Sequence, residues 1–481
     1  MRIKNQVMLI TYADSLGKDL NEMLEILNKH FSEAIGGVHL LPFYPSSADR
    51  GFAPMTYQEV DPAFGNWDEI RKISEKYYLM VDFMINHISK SSNYYKDFIL
   101  KKDNSPYANL FLRYKDFWPD GEPTPQDIEL IYKRKPRAPY VEAQFSDNTT
   151  EKIWCTFDEE QIDLNPQTSV TKQFYKENLE FLALQGASII RLDAFAYAIK
   201  KLGTNCFFVE PEIWDLLNFV ENILKPSDVI VLPEIHEHYT IQQKLAAKGY
   251  WVYDFALPML ILHALYSGET KRLAHWLEIC PRNQFTTLDT HDGIGVVDVI
   301  GLLNDDEIEF TKETLYTRGA NVKRKYSSTE YNNLDIYQIN CTYYSALGDN
   351  DDAYLLARAI QFFAPGIPQV YYVGLLAGAN DLELLEKTKV GRNINRHFYT
   401  KGEVESNLER PVVKRLVKLM KFRNECQAFD RNIKIENSFG KLRIEREGTN
   451  GDKALLNADL INYSFKVTWI HSDGLAEDII I

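Results

Sequence analysis

Acidic and basic side chains recur at the ends of apolar stretches in this sequence. The stretch from Gly186 to Phe195 is apolar until Arg191 and Asp193, which stand two residues apart. In a β-strand, side chains i and i+2 point to the same face, so this arginine and this carboxylate would project together. A structural ion pair, or an aspartate that caps the next helix, is the alternative for such a pair taken alone. Similar strand-end positions are held by Asp49, His87, Glu234, His236, His291 and Asp292.

Carboxylates on neighbouring strands suit glycosyl transfer, in which one carboxyl group protonates the leaving oxygen and another attacks the anomeric carbon. Because a nearby positive charge favours the carboxylate, Arg191 is expected to keep Asp193 ionised as the nucleophile. Glu234 follows an apolar strand and has negative neighbours, which predicts a raised pKa and the role of proton donor. Asp292 is then left to stabilise the oxocarbenium-like transition state.

The elements around these residues alternate between strands and helices. Apolar runs of strand length are followed by segments with helical spacing, such as 67–78, for which Asn66 is the expected N-cap. Eight such strands predict a (β/α)8 barrel (TIM barrel), whose active site lies at the carboxyl ends of the strands. The predicted strands are 6–12, 38–45, 78–87, 186–195, 228–236, 250–256, 284–292 and 368–375.

Two long insertions and a tail depart from this alternation. Connections of such length are usually functional or form a small domain, so we expect two inserted, loop-rich subdomains at 87–167 and 294–349. Short alternating segments near the end predict a small C-terminal antiparallel β-domain over 429–481. The barrel itself would then comprise 1–86, 168–293 and 350–428.

Composition and charge exclude several classes of protein. The formal net charge of −14 argues against binding to nucleic acid or anionic membranes, because the mean field repels polyanions. The five cysteines are far apart and lack CxxC spacing, so neither a disulfide framework nor a zinc site is expected. No apolar run has the length of a membrane-spanning helix or the form of a signal-peptide core, which predicts a cytoplasmic protein.

Four segments that carry the candidate residues resemble the conserved regions of the α-amylase superfamily, glycoside hydrolase family 13. Along the chain they are 82–87, 190–194, 233–236 and 288–292. This family comprises retaining α-glycosidases and transglycosylases. The resemblance implies a β-glucosyl intermediate on Asp193, with Glu234 as acid/base and Asp292 as the transition-state stabiliser.

Further segments narrow this resemblance to the sucrose phosphorylases of the family, namely 8–14, 49–54, 191–197, 287–295, 333–338 and 391–397. The implied reaction converts sucrose and inorganic phosphate into α-D-glucose 1-phosphate and D-fructose with net retention and without a cofactor. The implied residues on the glucosyl side are Asp49, Phe52, His87, Arg191, His291 and Arg392, with Phe52 and Phe157 as an apolar wall. Gln161 is a further implied substrate-binding residue. Those implied on the acceptor side, where fructose and phosphate alternate, are Tyr197, His236, Asp335, Tyr337 and Gln338.

A phosphate acceptor near three carboxylates requires a local positive charge. The basic cluster 133–137 is the candidate, and the alternative reading of this cluster is a solvated loop. By resemblance Arg134 binds phosphate together with Tyr337, and Arg137 is the reserve candidate.

No metal site is expected. Asn86 matches an asparagine that binds calcium in many amylases, but sucrose phosphorylases generally do without that ion. Strand alternation would place His236 and His238 on one face, yet His236 is already assigned beside Glu234.

The sequence is compatible with more than one substrate and more than one assembly. A sucrose 6'-phosphate phosphorylase, or a phosphorylase of glucosylglycerol or glucosylglycerate, would use the same catalytic residues. A hydrolase and a non-catalytic carbohydrate-binding relative are less favoured, because the chain keeps the second-insertion segment 335–338 and all three carboxylates. Both a monomer and a homodimer are compatible with the sequence.

Overall fold

Eight parallel strands form the central sheet of the computed structural model, which describes residues 3–135, 137–320 and 338–481. Numbered along the chain, they are hydrogen-bonded in an order that runs from the sixth to the eighth and then from the first to the fifth. This is the order of a (β/α)8 barrel, and the predicted fold is confirmed. The barrel strands are Met8–Thr11, Gly37–Leu40, Tyr78–Met84, Ala187–Asp193, Ile230–Pro233, Val252–Asp254, Gln284–Thr286 and Ile367–Tyr371.

Most of these strands end earlier than the sequence predicts. Glu234 and Asp292 lie in the loops after the fifth and seventh strands and not within them. The eighth strand ends at Tyr371, and the prediction of a strand up to residue 375 is wrong because Tyr372–Leu375 is a short helix. Apolar composition alone did not separate a strand from the buried segment that follows it.

The segment 258–279 has helical spacing that predicts one long helix, but it forms two helices, Leu257–Ser267 and Lys271–Ile279. Gly268 ends the first of them with a left-handed backbone, at φ 80°. Glycine adopts this conformation without the steric cost that a Cβ would impose, and it commonly ends helices in this way. By contrast, the helix after Asn66 begins as predicted, and Asn66 forms a capping box with Glu69.

Two compact units can be recognised in the chain, and each is described by itself. The first, residues 40–235, contains the third, fourth and fifth barrel strands and the first insertion. In the insertion, His87–Ser89 pairs antiparallel with Gln161–Asp163, and Tyr140–Gln144 pairs with Thr150–Trp154. The helices of this unit are Trp67–Lys76, Asn93–Lys101, Tyr114–Phe117, Pro125–Leu130, Ser169–Leu184 and Glu212–Leu224.

The second unit comprises residues 3–39 and 236–481. Besides barrel strands, it contains the short antiparallel pair Ile294–Gly295 and Gln338–Ile339. Its α-helices are Leu20–Ile26, Thr240–Ala247, Leu257–Ser267, Lys271–Ile279, Asp305–Thr317, Tyr343–Ala346, Asp351–Phe363, Tyr372–Leu375, Leu382–Thr388, Lys401–Leu408 and Pro411–Glu425. Leu20–Ile26 continues as a π-helix, Leu27–Phe31.

The tail forms a five-stranded antiparallel sheet within the second unit, as predicted. Arg446 attaches this sheet to the barrel helices, since its guanidinium donates to the carbonyl of Phe363 at 3.0 Å and to that of Phe429 at 2.8 Å. None of the helices in the described part of the chain is both long and apolar enough to cross a lipid bilayer. The strands of the sheet are Asn432–Ser438, Lys441–Glu447, Lys453–Asp459, Ser464–Ile470 and Ala476–Ile479.

Candidate active site

Arg191 is the centre of a group of carboxylates in the first unit. It lies opposite Asp82 in the pairing of the fourth strand with the third, and its guanidinium donates to Asp82 Oδ1 at 2.5 Å. The same nitrogen donates to Asp193 Oδ1 at 2.9 Å, so the predicted pairing of residues i and i+2 is present. The other terminal nitrogen lies 3.7 Å from Glu234 Oε1. One buried guanidinium therefore contacts three carboxyl groups.

Asp82 was not assigned a role from the sequence. It lies in the third strand, all of whose residues are buried, and is itself fully buried. A carboxylate inside an otherwise apolar strand needs a charged partner, because burial of an unpaired charge is costly. That isolated position was the signal for a partner such as Arg191.

Glu234 is held next to Asp193 by the main chain. Its N–H donates to the carbonyl of Leu192 at 3.0 Å, and its Oε2 accepts from the N–H of Ala194 at 3.1 Å. Ala194 has a left-handed backbone with φ 54°, which an L-residue adopts only at a cost. The strained residue directly after Asp193 thus turns its N–H toward Glu234.

Arg191 lowers the pKa of Asp193, in the direction that the sequence predicts, but other influences oppose it. Burial, the largest influence, raises the pKa of Asp193, and the negative charges of Glu234 and Asp82 raise it further. The net shift is upward, because burial and the two carboxylates together outweigh Arg191. Such closely coupled groups titrate as a unit, so the raised pKa belongs to the cluster.

Predicted residues of the glucosyl side also meet in this unit. The carbonyl of Phe52 accepts from His87 Nε2 at 2.9 Å and from Gln161 Nε2 at 2.9 Å. The turn Asp49–Gly51 directly precedes Phe52, and Asp49 and Arg50 both have positive φ there, at 48° and 50°. Burial lowers the pKa of His87, so the ring is neutral near pH 7 and Nε2 carries the proton that it donates.

Aromatic rings line the next part of the same region. Phe157 packs edge to face against His87, with ring centroids 5.5 Å apart, and against Tyr197 at 5.0 Å. The guanidinium of Arg134 lies 5.6 Å from the centroids of both Phe157 and Tyr197, within the range of cation–π attraction. Arg134 is thus held at the aromatic wall by the two rings.

Arg137, the reserve candidate for phosphate, is engaged by the main chain. Its guanidinium donates to the carbonyls of Ala138 at 3.1 Å, Tyr140 at 2.9 Å and Phe157 at 3.0 Å. These bonds join two stretches of the insertion and fix the backbone that carries Phe157. The donors of Arg137 are therefore used to shape the wall, whereas Arg134 faces the rings.

A buried ammonium group occupies the position considered for calcium. Lys200 Nζ lies 2.6 Å from Asp163 Oδ2, 2.5 Å from Asn86 Oδ1 and 2.6 Å from the carbonyl of Tyr197. Its side chain is 3% exposed and that of Asp163 is fully buried. The lysine thus supplies the positive charge that these oxygens need, and the sequence analysis did not identify it.

The remaining described candidates belong to the second unit. Asp292 Oδ1 lies 3.1 Å from Arg392, and Asp292 Oδ2 lies 3.7 Å from His291 Nε2. Two residues that were not predicted hold this segment: Asn395 donates to the carbonyl of Asp292 at 2.9 Å, and Arg396 donates to that of His291 at 2.9 Å. The predicted residues His291, Asp292 and Arg392 therefore lie together.

The pKa of Asp292 is shifted in the opposite direction from that of Asp193. Burial would raise the pKa of Asp292, but the guanidinium of Arg392, followed by the side chains of His291, His236 and Arg396, holds it well below its usual range. Asp292 is consequently ionised near neutral pH, as a stabiliser of positive charge must be.

His236 and Gln338 also lie in the second unit. The ring of His236 stacks on Phe255, and Gln338 lies in the strand Gln338–Ile339 opposite Gly295. His236 and His238 follow the fifth strand, so the alternation expected for them does not apply. The predicted acceptor residues Asp335 and Tyr337 lie outside the described residues.

The ammonium of Lys200 generates a prediction about metals. Lys200→Met should lower the free energy of unfolding by about 3–5 kcal/mol, because Asp163 is left as an unpaired buried charge. Urea unfolding followed by tryptophan fluorescence measures this. EDTA should leave the wild-type unfolding curve unchanged, and a destabilised wild type in EDTA would show that a bound metal contributes.

Lys201→Met is the matched control. Lys201 is next in sequence and pairs with Glu212, but its side chain is 46% exposed. Exposed pairs contribute little, so the loss should stay within about 1 kcal/mol. Equal losses in the two variants would contradict the role assigned to Lys200.

Comparison with known proteins places the chain in a family. Residues 29–252 match the family described as Alpha amylase, catalytic domain. The chain is 58% identical to the sucrose phosphorylase of Streptococcus mutans, with 97% of this chain and 98% of the relative covered. It is 46% identical to the glucosylglycerol phosphorylase of Marinobacter adhaerens, with 91% of each covered.

A crystal structure of the sucrose 6F-phosphate phosphorylase from Thermoanaerobacter thermosaccharolyticum superposes with a TM-score of 0.94. The two chains are 43% identical, and the match covers 100% of this chain and 98% of that one. Together with the barrel and its carboxylate cluster, these similarities show that the chain belongs to the α-amylase family, in the group of sucrose phosphorylases and related glucoside phosphorylases.

Proposed function

We propose that this enzyme transfers the glucosyl group of sucrose to inorganic phosphate with net retention, releasing D-fructose and α-D-glucose 1-phosphate. The observation that carries the proposal is the convergence of Asp193 and Glu234 on the guanidinium of Arg191. Retention by double displacement requires a nucleophilic carboxylate and an acid/base carboxyl close together. The 58% identity to a sucrose phosphorylase supports sucrose as the donor.

In the first half-reaction, Asp193 attacks the anomeric carbon while Glu234 protonates the glycosidic oxygen, and fructose leaves. Arg191 donates to Asp193 Oδ1, which leaves Oδ2 as the attacking oxygen. The bond to Arg191 also orients the carboxylate. Asp292, ionised by its cationic surroundings, stabilises the positive charge that develops on the sugar ring.

In the second half-reaction, phosphate replaces fructose and attacks the glucosyl carbon, with Glu234 acting as the base. The charge of Arg134 offsets the repulsion between phosphate and the carboxylates. His87, Gln161 and Phe52 hold the glucosyl unit throughout, together with Asp49, His291 and Arg392. Phe157 and Tyr197 provide the wall beside it, and Tyr337 adds a phosphate contact by resemblance.

A second candidate differs only in the donor. The structural match with a TM-score of 0.94 is to a sucrose 6F-phosphate phosphorylase, and a relative at 46% identity acts as a glucosylglycerol phosphorylase. These enzymes would share the glucosyl-side residues. The acceptor side therefore decides between them, and a comparison of donors is the direct test.

A product assay tests the function. Purified enzyme with sucrose and phosphate should release fructose and α-glucose 1-phosphate in equal amounts, followed by ¹H NMR, which also reports the anomer. Sucrose 6'-phosphate and glucosylglycerol are offered in parallel, and a higher kcat/KM for either would transfer the function to that donor. Free glucose as the main product would refute phosphorolysis, and a β-phosphate product would refute retention.

The nucleophile has its own test. Asp193→Ala should remain folded by circular dichroism and lose kcat/KM for sucrose by several orders of magnitude, because no covalent intermediate can form. Turnover near the wild-type level would refute the assignment of Asp193.

The two arginines of the basic cluster should respond differently. Arg134→Ala should raise KM for phosphate about 10- to 100-fold, the loss expected for a charge-assisted hydrogen bond, with less effect on kcat/KM for sucrose. Arg137→Ala is the comparison: it removes the bonds to the Phe157 backbone, so it should impair both substrates and lower stability. If KM for phosphate rises selectively in Arg137→Ala and not in Arg134→Ala, then Arg137 binds phosphate and Arg134 does not.

The acid limb of the pH profile should reflect the raised pKa of Asp193. Since the nucleophile must be ionised, kcat/KM for sucrose should fall as the pH drops through a value above the ordinary 3.8 of an aspartate. In a double displacement, kcat/KM for sucrose depends only on the first half-reaction, so the titration of phosphate does not affect it. Asp82→Asn removes a negative neighbour and should move the limb to lower pH. An unmoved limb would contradict this account.

A further inference from the structure

Asp298 faces His236 on the acceptor side of the second unit. Asp298 Oδ2 lies 3.4 Å from His236 Nδ1, and the two side chains are 1% and 10% exposed. The ring of His236 also stacks on Phe255, with centroids 3.8 Å apart and planes 18° from parallel. The imidazole is thus fixed by a ring on its face and a carboxylate at one nitrogen.

The backbone next to Asp298 leaves space for its carboxylate. Asp298 lies in the turn Val297–Val299, shortly after the strand Ile294–Gly295. A Cβ on Gly295 would lie 2.1 Å from Asp298 Oδ2, so only glycine leaves room for the carboxylate at this position. Gly295 in turn pairs with Gln338 across the strands. Asp298 therefore contacts the predicted acceptor residue His236 and lies against Gly295, the strand partner of Gln338.

The imidazole of His236 is the polar partner of the Asp298 carboxylate. Within the described residues, Asp298 Oδ1 accepts no hydrogen bond, although the side chain is buried. A buried carboxylate is costly unless it is paired, so its contact with His236 accounts for its presence. Asp254 is a further carboxyl group near Asp298: burial and, to a smaller extent, the charge of Asp298 raise the pKa of Asp254 to about 7.

We propose that Asp298 is a positioning residue that selects the tautomer of His236 and thereby aims Nε2 at a hydroxyl of the sugar that leaves or attacks. A carboxylate can only accept a hydrogen bond, so Nδ1 carries the proton. In the neutral ring Nε2 is then the acceptor, and a sugar hydroxyl is a donor that fits it. The inference rests on the proposed function, since it needs a glucoside donor with a polyol leaving group.

Comparison of two donors tests this inference. Sucrose carries the leaving sugar that His236 would contact, whereas α-glucosyl fluoride carries none and requires no such contact. Asp298→Ala should lower kcat/KM for sucrose about 10- to 50-fold and that for α-glucosyl fluoride by less than about threefold. A structural defect would reduce both values alike, and equal losses would overturn the inference.

A double-mutant cycle shows whether Asp298 acts through His236. The variant with both Asp298→Ala and His236→Ala should be no slower on sucrose than His236→Ala alone. Multiplied losses would overturn the inference. Asp298→Asn keeps the size and one oxygen acceptor, so it should recover to within about fivefold of wild type. An asparagine variant no better than the alanine variant would equally reject the tautomer role.

Failure of the proposed function is distinguishable from failure of this inference. If the wild type does not use sucrose, the same comparison is made with the glucoside that it does use, against α-glucosyl fluoride. Wild-type inactivity on sucrose then refutes only the donor. A loss in Asp298→Ala that does not depend on the leaving group refutes the positioning role.

Discussion

The candidate active site depends on the sharing of one buried guanidinium, that of Arg191, among Asp82, Asp193 and Glu234. A single positive charge cannot neutralise three carboxylates, so the cluster retains excess negative charge in a setting that water screens poorly. Burial raises the pKa of Asp193 and the neighbouring carboxylates raise it further. In the proposed mechanism the same negative charge favours positive charge on a bound sugar. The excess negative charge is unfavourable in the protein without substrate. It is complementary to the positive charge of an oxocarbenium-like transition state.

The two aspartates of the proposed mechanism show how the surroundings determine the pKa of one side-chain type. Asp193 lies among carboxylates and its pKa is raised, whereas Asp292 lies among Arg392, Arg396 and histidines and its pKa is lowered. Both are buried, so desolvation acts in the same direction on each. The difference comes from the neighbouring charges: cationic side chains outweigh burial at Asp292, whereas at Asp193 the carboxylates of Glu234 and Asp82 oppose Arg191, so burial prevails.

Buried cationic side chains join separate segments of the first unit. Lys200 joins the insertion at Asp163, the segment before His87 at Asn86 and the loop at Tyr197. Arg137 joins the backbone of the insertion around Phe157. Because each cation binds oxygens from several segments, the rings of His87, Phe157 and Tyr197 are held in one arrangement. The glucosyl side is therefore preorganised by side chains that do not themselves touch the sugar in the proposed mechanism.

The sequence by itself determined the barrel, the C-terminal sheet and the chemical identity of the candidate residues. Strand alternation was sufficient for Arg191 and Asp193, since residues i and i+2 share a face whatever the rest of the fold does. Asn66 likewise marked the start of its helix through a local capping signal. Patterns of this kind involve residues that are close together in the chain, so the order of the amino acids is enough to reveal them.

Only the tertiary structure decided how charge is distributed among these residues. Local proximity predicted that Arg191 keeps Asp193 ionised, but Asp82 from the third strand and Glu234 from the loop after the fifth strand also contact the guanidinium. Lys200 and Asp298 were not recognised, because their partners Asp163 and His236 are 37 and 62 residues away in sequence. Electrostatic energies depend on distances through space and on burial, and neither is encoded in a local pattern of residues.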